Sequence, residues 1–192
     1  MMIDNFELIS ELIKTNKEKD CFFHLQIIRR GKDHPDLPAA NRTIMQYFIE
    51  DEIHLSKRKD EIISLCELFK ARAYINLAPK SSIRLAQLAN CELSKRIFDN
   101  DYKKVHKIFN TAAGKLKSKN PMWVIDVDDP NLLNVILGYF AKNDINIKAI
   151  VPTKSASHII SKPFRLDHFM KDFSYISVHK NNPTVLFIPN SI

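Results

Sequence analysis

Positions 123 to 142, WVIDVDDPNLLNVILGYFAK, change their period once, and that change limits the folds open to the chain. Up to Val127 the side chains alternate in the way a strand requires. From Asn131 the pattern is that of a helix. Asp129 followed by Pro130 forms the junction: an N-cap carboxylate, then a residue whose fixed φ suits the first helical position. A strand therefore passes into a helix with almost no loop between them.

The same mixing runs through the rest of the sequence. Phe6, Leu8, Ile9, Leu12 and Ile13 mark the buried side of an amphipathic first helix. CFFHLQII (21–28) and RTIMQYFI (42–49) read as an antiparallel pair joined by the long basic connection RRGKDHPDLP. Ile62, Leu65, Leu68 and Phe69 give a helix over 56–70, which leads into a strand within ARAYINLA (71–78) that Pro79 stops. Residues 81–98 and 101–116 read as consecutive helices, with Ser81 or Ser82 as a cap and Gly114 near the second terminus. INIKAIVPT and SHIISKPF follow as strands across a short polar turn, and YISVHK and TVLFIP finish the sheet. The expectation is an α+β fold: a mixed, largely antiparallel sheet with helices packed on it and a two-helix insertion at about 81–116. No linker-like composition divides the chain, so residues 1–192 are expected to form one domain.

Several function classes are disfavoured at once. Only three glycines occur in 192 residues, and neither a glycine-rich phosphate loop nor a dinucleotide fingerprint is present. Cys21, Cys66 and Cys91 are odd in number and far apart, which argues against a disulfide framework and a CxxC zinc site and fits a reducing cytoplasm. The acidic N-terminal stretch has no long apolar run, so neither a secretory signal nor a membrane span is expected. His24, His54, His106 and His168 show no zinc-site spacing, and no serine sits in a GxSxG context. A net charge of +7 directs attention to anionic partners, nucleotides and nucleic acid among them.

Against that basic background the acidic strand stands out. Val124, Asp126 and Asp128 share one face, and Trp123, Ile125 and Val127 the other. Two neighbouring carboxylates repel unless one is protonated or a cation lies between them, and an oxygen pair of this kind suits Mg²⁺ or Mn²⁺. Asp128 as a solvated strand-end residue is the plainer alternative, and Asp129 reads as structural. Farther on, PTKSASHIISKPF (152–164) gathers the donors Lys154, Ser155, Ser157 and His158. His158 and Lys162 are expected to face one way and, with Arg165, to form an anion-binding candidate. A backbone-bonded strand histidine and a solvated basic face are the ordinary alternatives. Arg29, Arg30, Lys32 and His34, with Arg42, Arg72 and Lys80 at neighbouring strand ends, are candidates for a nucleic-acid backbone to pass over. Phe22 and Phe23 read as core.

A strand with DxD, a helix, a strand, then a turn with serine and histidine entering another strand resembles the catalytic half of the archaeo-eukaryotic primase and primase-polymerase superfamily. The resemblance covers 122 to about 189. It implies that Asp126 and Asp128 are catalytic and bind divalent cations, and that Ser155 and His158 contact the phosphates of an incoming nucleotide. Attack of a 3′-hydroxyl on the α-phosphate is the implied reaction. Two departures stand beside it: KSASH has Ala156 and no glycine, and YISVHK offers Ser177 and His179 where the family places a third carboxylate. Asp167 and Asp172 lie upstream of it. The functional expectations are therefore metal-dependent nucleotidyl transfer, as in DNA replication, or a catalytically inactive nucleic-acid-binding or interaction protein of a phage, other virus or mobile element. Either could be one module of an assembly that a protein partner completes.

Overall fold

The computed structural model describes residues 2 to 34 and 40 to 192, and within them the chain forms an α+β fold with two antiparallel sheets. Part of the expected basic connection, residues 35 to 39, lies outside the described residues. The first half comprises β1 (Ile3–Asp4), α1 (Phe6–Asn16), β2 (Cys21–Arg29), β3 (Arg42–Ile49), α2 (Glu52–Leu68), β4 (Arg72–Ile75) and β5 (Lys80–Ser81). The helices α3 (Ser82–Phe98) and α4 (Ile108–Lys115) come next. The remainder comprises β6 (Trp123–Val127), α5 (Pro130–Lys142), β7 (Ile147–Pro152), β8 (Ser157–Ser161), α6 (Leu166–Asp172), β9 (Ser177–His179) and β10 (Thr184–Ile188).

The expected single sheet is thus two. One has the order β1-β10-β4-β2-β3, with β5 also paired to β2, and the other has the order β7-β8-β6-β9. Strand β9 completes the second sheet, whereas β10 crosses back to the first and lies between β1 and β4. Side-chain alternation marks a strand but not its partner, so nothing local in TVLFIP reveals this return.

In the first sheet Phe23, Leu25 and Ile27 of β2 are buried with Phe6, Ile9 and Ile13 of α1 and Leu55, Ile62 and Cys66 of α2. Helix α2 starts ahead of its expected position because Asp51 caps it, accepting from the His54 N–H at 2.8 Å. The other face of β2 carries His24 and Gln26, and Tyr74 of β4 lies opposite Gln26. A polar strip therefore runs along the side that α1 and α2 leave uncovered.

The second sheet has the βαββαβ order of a split βαβ unit. Ile125, Val127 and Ile159 on one face pack with Ile136 and Phe140 of α5 and Phe169 of α6. Val124, Val151 and Ile160, on the opposite face, join the core of the first sheet. Asn5 also ties the two together, its Nδ2 donating to the Pro152 carbonyl at 3.0 Å and the Val185 carbonyl at 3.1 Å.

The two-helix insertion forms as expected, although α4 is shorter than the sequence pattern. Asn100 (φ 52°) closes α3 in the left-handed region, its neighbour Asp101 donating back to Arg96 O at 2.9 Å, and Lys104 (φ 68°) breaks the chain again. Leu85 and Ala89 of α3 and Ile108, Ala112 and Ala113 of α4 pack on Phe22, with Phe48 against them. Lys80 is buried and donates from Nζ to the Ala113 carbonyl at 2.7 Å, capping the last turn of α4.

Candidate functional site in the cleft between the sheets

Strand β6 is central in its sheet, and the register sets Asp126 between His158 of β8 and Ser177 of β9. Asp126 Oδ1 lies 3.3 Å from His158 Nε2. The other ring nitrogen, Nδ1, lies 2.9 Å from the hydroxyl of Thr184, a buried residue of the first sheet. The imidazole is thus held at both ends, by a carboxylate from one sheet and a hydroxyl from the other. The hydrogen bond from His158 holds the Asp126 carboxyl below the usual range. Partial burial opposes this, while the charges of His158, His179 and Lys32 reinforce it.

Asp128 is exposed just beyond the end of β6, and its Oδ1 accepts from the Ser155 hydroxyl at 2.9 Å. That contact ties the β7–β8 turn to the acidic strand. Within the turn Thr153 N donates to the Ala156 carbonyl at 3.1 Å, and Ala156 N donates to Thr153 Oγ1 at 3.2 Å. The KSASH segment therefore closes without glycine. Asp129 accepts from Asn131 N at 2.9 Å as the cap of α5, in keeping with its structural reading.

The cleft above Asp126 has a volume of about 250 Å³, and its lining includes Arg30, Tyr74, Asp126, His158, His179 and Asn182. Arg30 Nη1 is held by the Tyr74 hydroxyl at 3.2 Å. Of the expected nucleic-acid residues, the fold brings Arg30 to the cleft wall and Lys32 near enough for its charge to act on Asp126. Arg29 and Arg42 are opposite one another in the β2–β3 register, a like-charge pairing at the end of the two strands. Lys154 is exposed on the turn beside Ser155.

Several expected residues lie elsewhere, Lys80 among them, since it is buried and its ammonium is engaged with the Ala113 carbonyl. Arg72 is only 6% exposed and grips Asp33 through two hydrogen bonds, Nε at 2.8 Å and Nη2 at 2.5 Å. Its guanidinium is spent on fixing the turn after β2 and is withdrawn from any phosphate. Lys162 lies past the end of β8, about 13 Å along the chain from His158 at the usual rise per residue. It lines a separate cavity with Arg165 and His168. The parity that pairs it with His158 holds only while the strand continues. Thr184, Tyr74 and Asn182 were not legible as site residues because their positions depend on the pairing of β10 and β4 with distant strands.

Among the described residues no group of three or more His, Cys, Asp or Glu side chains is placed to hold a metal. Of the two carboxylates, Asp126 lines the cleft, while Asp128 lies beyond the end of β6 with the Ser155 hydroxyl as its partner. No helix among the described residues is long and apolar enough to cross a membrane. The chain matches no family model, no curated protein and no solved structure.

Proposed function

We propose that the protein binds nucleoside triphosphates in the cleft between its sheets and acts as a primase-polymerase-like, divalent-metal-dependent nucleotidyltransferase. The observation that carries this reading is the row His158–Asp126–Ser177 across β8, β6 and β9, with the Asp128–Ser155 pair beyond the end of β6. Asp126 and Asp128 would hold Mg²⁺ or Mn²⁺. When bound, the cation screens the triphosphate and stabilises charge developing at the α-phosphate. His158, oriented by Thr184, donates to a phosphate oxygen once it turns from Asp126. Ser155 and Lys154 add donors from the turn, and Arg30, steadied by Tyr74, supplies positive charge at the cleft wall. A cytoplasmic setting belongs to this reading and is supported by the free thiols of Cys21, Cys66 and Cys91.

A second reading is favoured by Ser177, which occupies the strand position beside Asp126 where a third carboxylate would complete the acidic set. On that reading the scaffold binds nucleotide or nucleic acid without transfer, or completes its site with a protein partner. Nucleotide incorporation into a labelled primer with Mn²⁺ separates the two. Transfer requires product from wild type and none from folded Asp126→Asn or Asp128→Asn. A binding role without transfer yields no product from any of them, with oligonucleotide affinity unchanged by either substitution and weakened by charge reversal at Arg29, Arg30 or Lys154.

A further inference from the structure

The charge of the chain is concentrated in one place. Residues 95 to 119 hold eight lysines and arginines against two aspartates, so this stretch carries six of the seven net positive charges. Three aromatic side chains project from the same lobe: Phe98 is 86% exposed, Tyr102 61% and Phe109 55%. The lobe's own core is formed by other residues, chiefly Leu85, Ala89, Ile108 and Ala112 against Phe22. Packing therefore does not account for these rings. Some of the charge is already satisfied: Arg96 pairs with Asp101 at 2.8 Å and Lys115 with Glu92 at 2.6 Å. Lys103, Lys104 and Lys107 are exposed and enter none of the ion pairs among the described residues.

The lobe also connects to the cleft. The cleft shares Pro183 with a cavity of about 130 Å³ lined by His24, Gln26, Lys80 and Asn110. Asn110 in turn borders a groove of about 430 Å³ between Gln46 of β3 and His106, Lys107 and Thr111. Three neighbouring cavities that share lining residues thus lie in succession between Asp126 and the basic lobe.

We propose that the α3–α4 lobe is a single-stranded nucleic-acid-binding surface, with bases stacking on Phe98, Tyr102 and Phe109 and the backbone held by Lys103, Lys104 and Lys107. The strand then runs past these cavities toward Asp126, a step that rests on the nucleotide-binding reading, whereas binding at the lobe does not. Exposed rings set among unpaired cations give the sequence-tolerant, salt-sensitive binding typical of single-strand proteins. A duplex, whose bases are already stacked, gains nothing from the rings.

The test is fluorescence anisotropy with a labelled mixed-sequence single-stranded DNA, the same sequence as RNA, and the blunt DNA duplex. The wild type should prefer single strands to duplex, with the DNA and RNA arms showing which sugar it favours. The triple variant Phe98→Ala/Tyr102→Ala/Phe109→Ala should weaken binding by roughly tenfold or more. Lys103→Ala/Lys104→Ala/Lys107→Ala should reduce the slope of log affinity against log salt by about 2. All six side chains are exposed, and thermal melts followed by circular dichroism should show both variants folded. Both lobe variants should titrate with Mn²⁺ and nucleotide as wild type does, so loss of strand binding at the lobe and loss of nucleotide binding in the cleft are read separately. The proposal is overturned if both lobe variants bind single strands as tightly as wild type. It is equally overturned if no single strand binds and sedimentation shows instead a dimer that the aromatic variant disperses.

Discussion

Asp126 keeps its charge because His158 donates to it more effectively than burial opposes it. The linkage to stability follows from the depressed value. As pH falls below the ordinary aspartate value of about 4, the unfolded chain takes up a proton that the folded carboxyl still refuses, so stability drops. The contribution is fully present above about pH 4 and disappears as pH falls through the lower folded value. Melting temperatures from pH 5 to pH 2 should therefore fall more steeply for wild type than for Asp126→Asn, and parallel curves would count against the pairing. Arg72 belongs to the same scale but to a different role. Removing its side chain leaves the buried Asp33 carboxylate unpaired, and Arg72→Ala should cost about 3–5 kcal/mol in urea unfolding. In the sequence Arg72 and Arg30 look alike, each a basic residue at a strand end. What separates them is the partner, Asp33 for one and the Tyr74 hydroxyl at a cleft wall for the other, and neither partner is a near neighbour in the chain.

At the level of elements, the three aspartates at the end of β6 divide their work. Asp129 caps α5, so Asp129→Ala should lower stability by about 1 kcal/mol while leaving Mn²⁺ titration unchanged. Loss of the cation on that substitution would show that the cap reading is incomplete. This division was legible in the sequence because Asp-Pro before a helical pattern has a local meaning, as does alternation in WVIDV. The helix α6 was not, since its seven residues offer too little periodicity. The two-residue strands β1 and β5 carry even less pattern. Lys162 shows the converse case: period 2 was extended past Ser161, where β8 stops, and the predicted neighbour of His158 ended in another cavity.

For the whole molecule, the decisive feature is the return of β10 to the first sheet. The segment that carries it across, with Asn182 and Pro183, forms a wall of the cleft, and Thr184 at its end reaches His158. Thr184→Val should leave the ring nitrogen without its partner and cost about 1–2 kcal/mol. Nitrogen-15 spectra of the His158 ring should then show a changed tautomer balance, and an unchanged spectrum would mean that the hydroxyl does not orient it. The α+β class and the two-helix insertion could be read from local patterns. The division into two sheets could not, because hydrogen bonds such as Asn5 to Val185 join residues 180 positions apart. The site inherits that limit: Asp126, Asp128, Ser155 and His158 lie in short legible stretches, while Tyr74, Asn182 and Thr184 reach the cleft only once β4 and β10 have paired. The most direct measurement is calorimetric titration of Mn²⁺ and then a nucleoside triphosphate into wild type and Asp126→Asn/Asp128→Asn. Binding of both by wild type, with loss of the cation in the folded double variant, is the expected result. Failure of wild type to bind either would contradict the cleft as a nucleotide site and leave the aspartates a structural role alone.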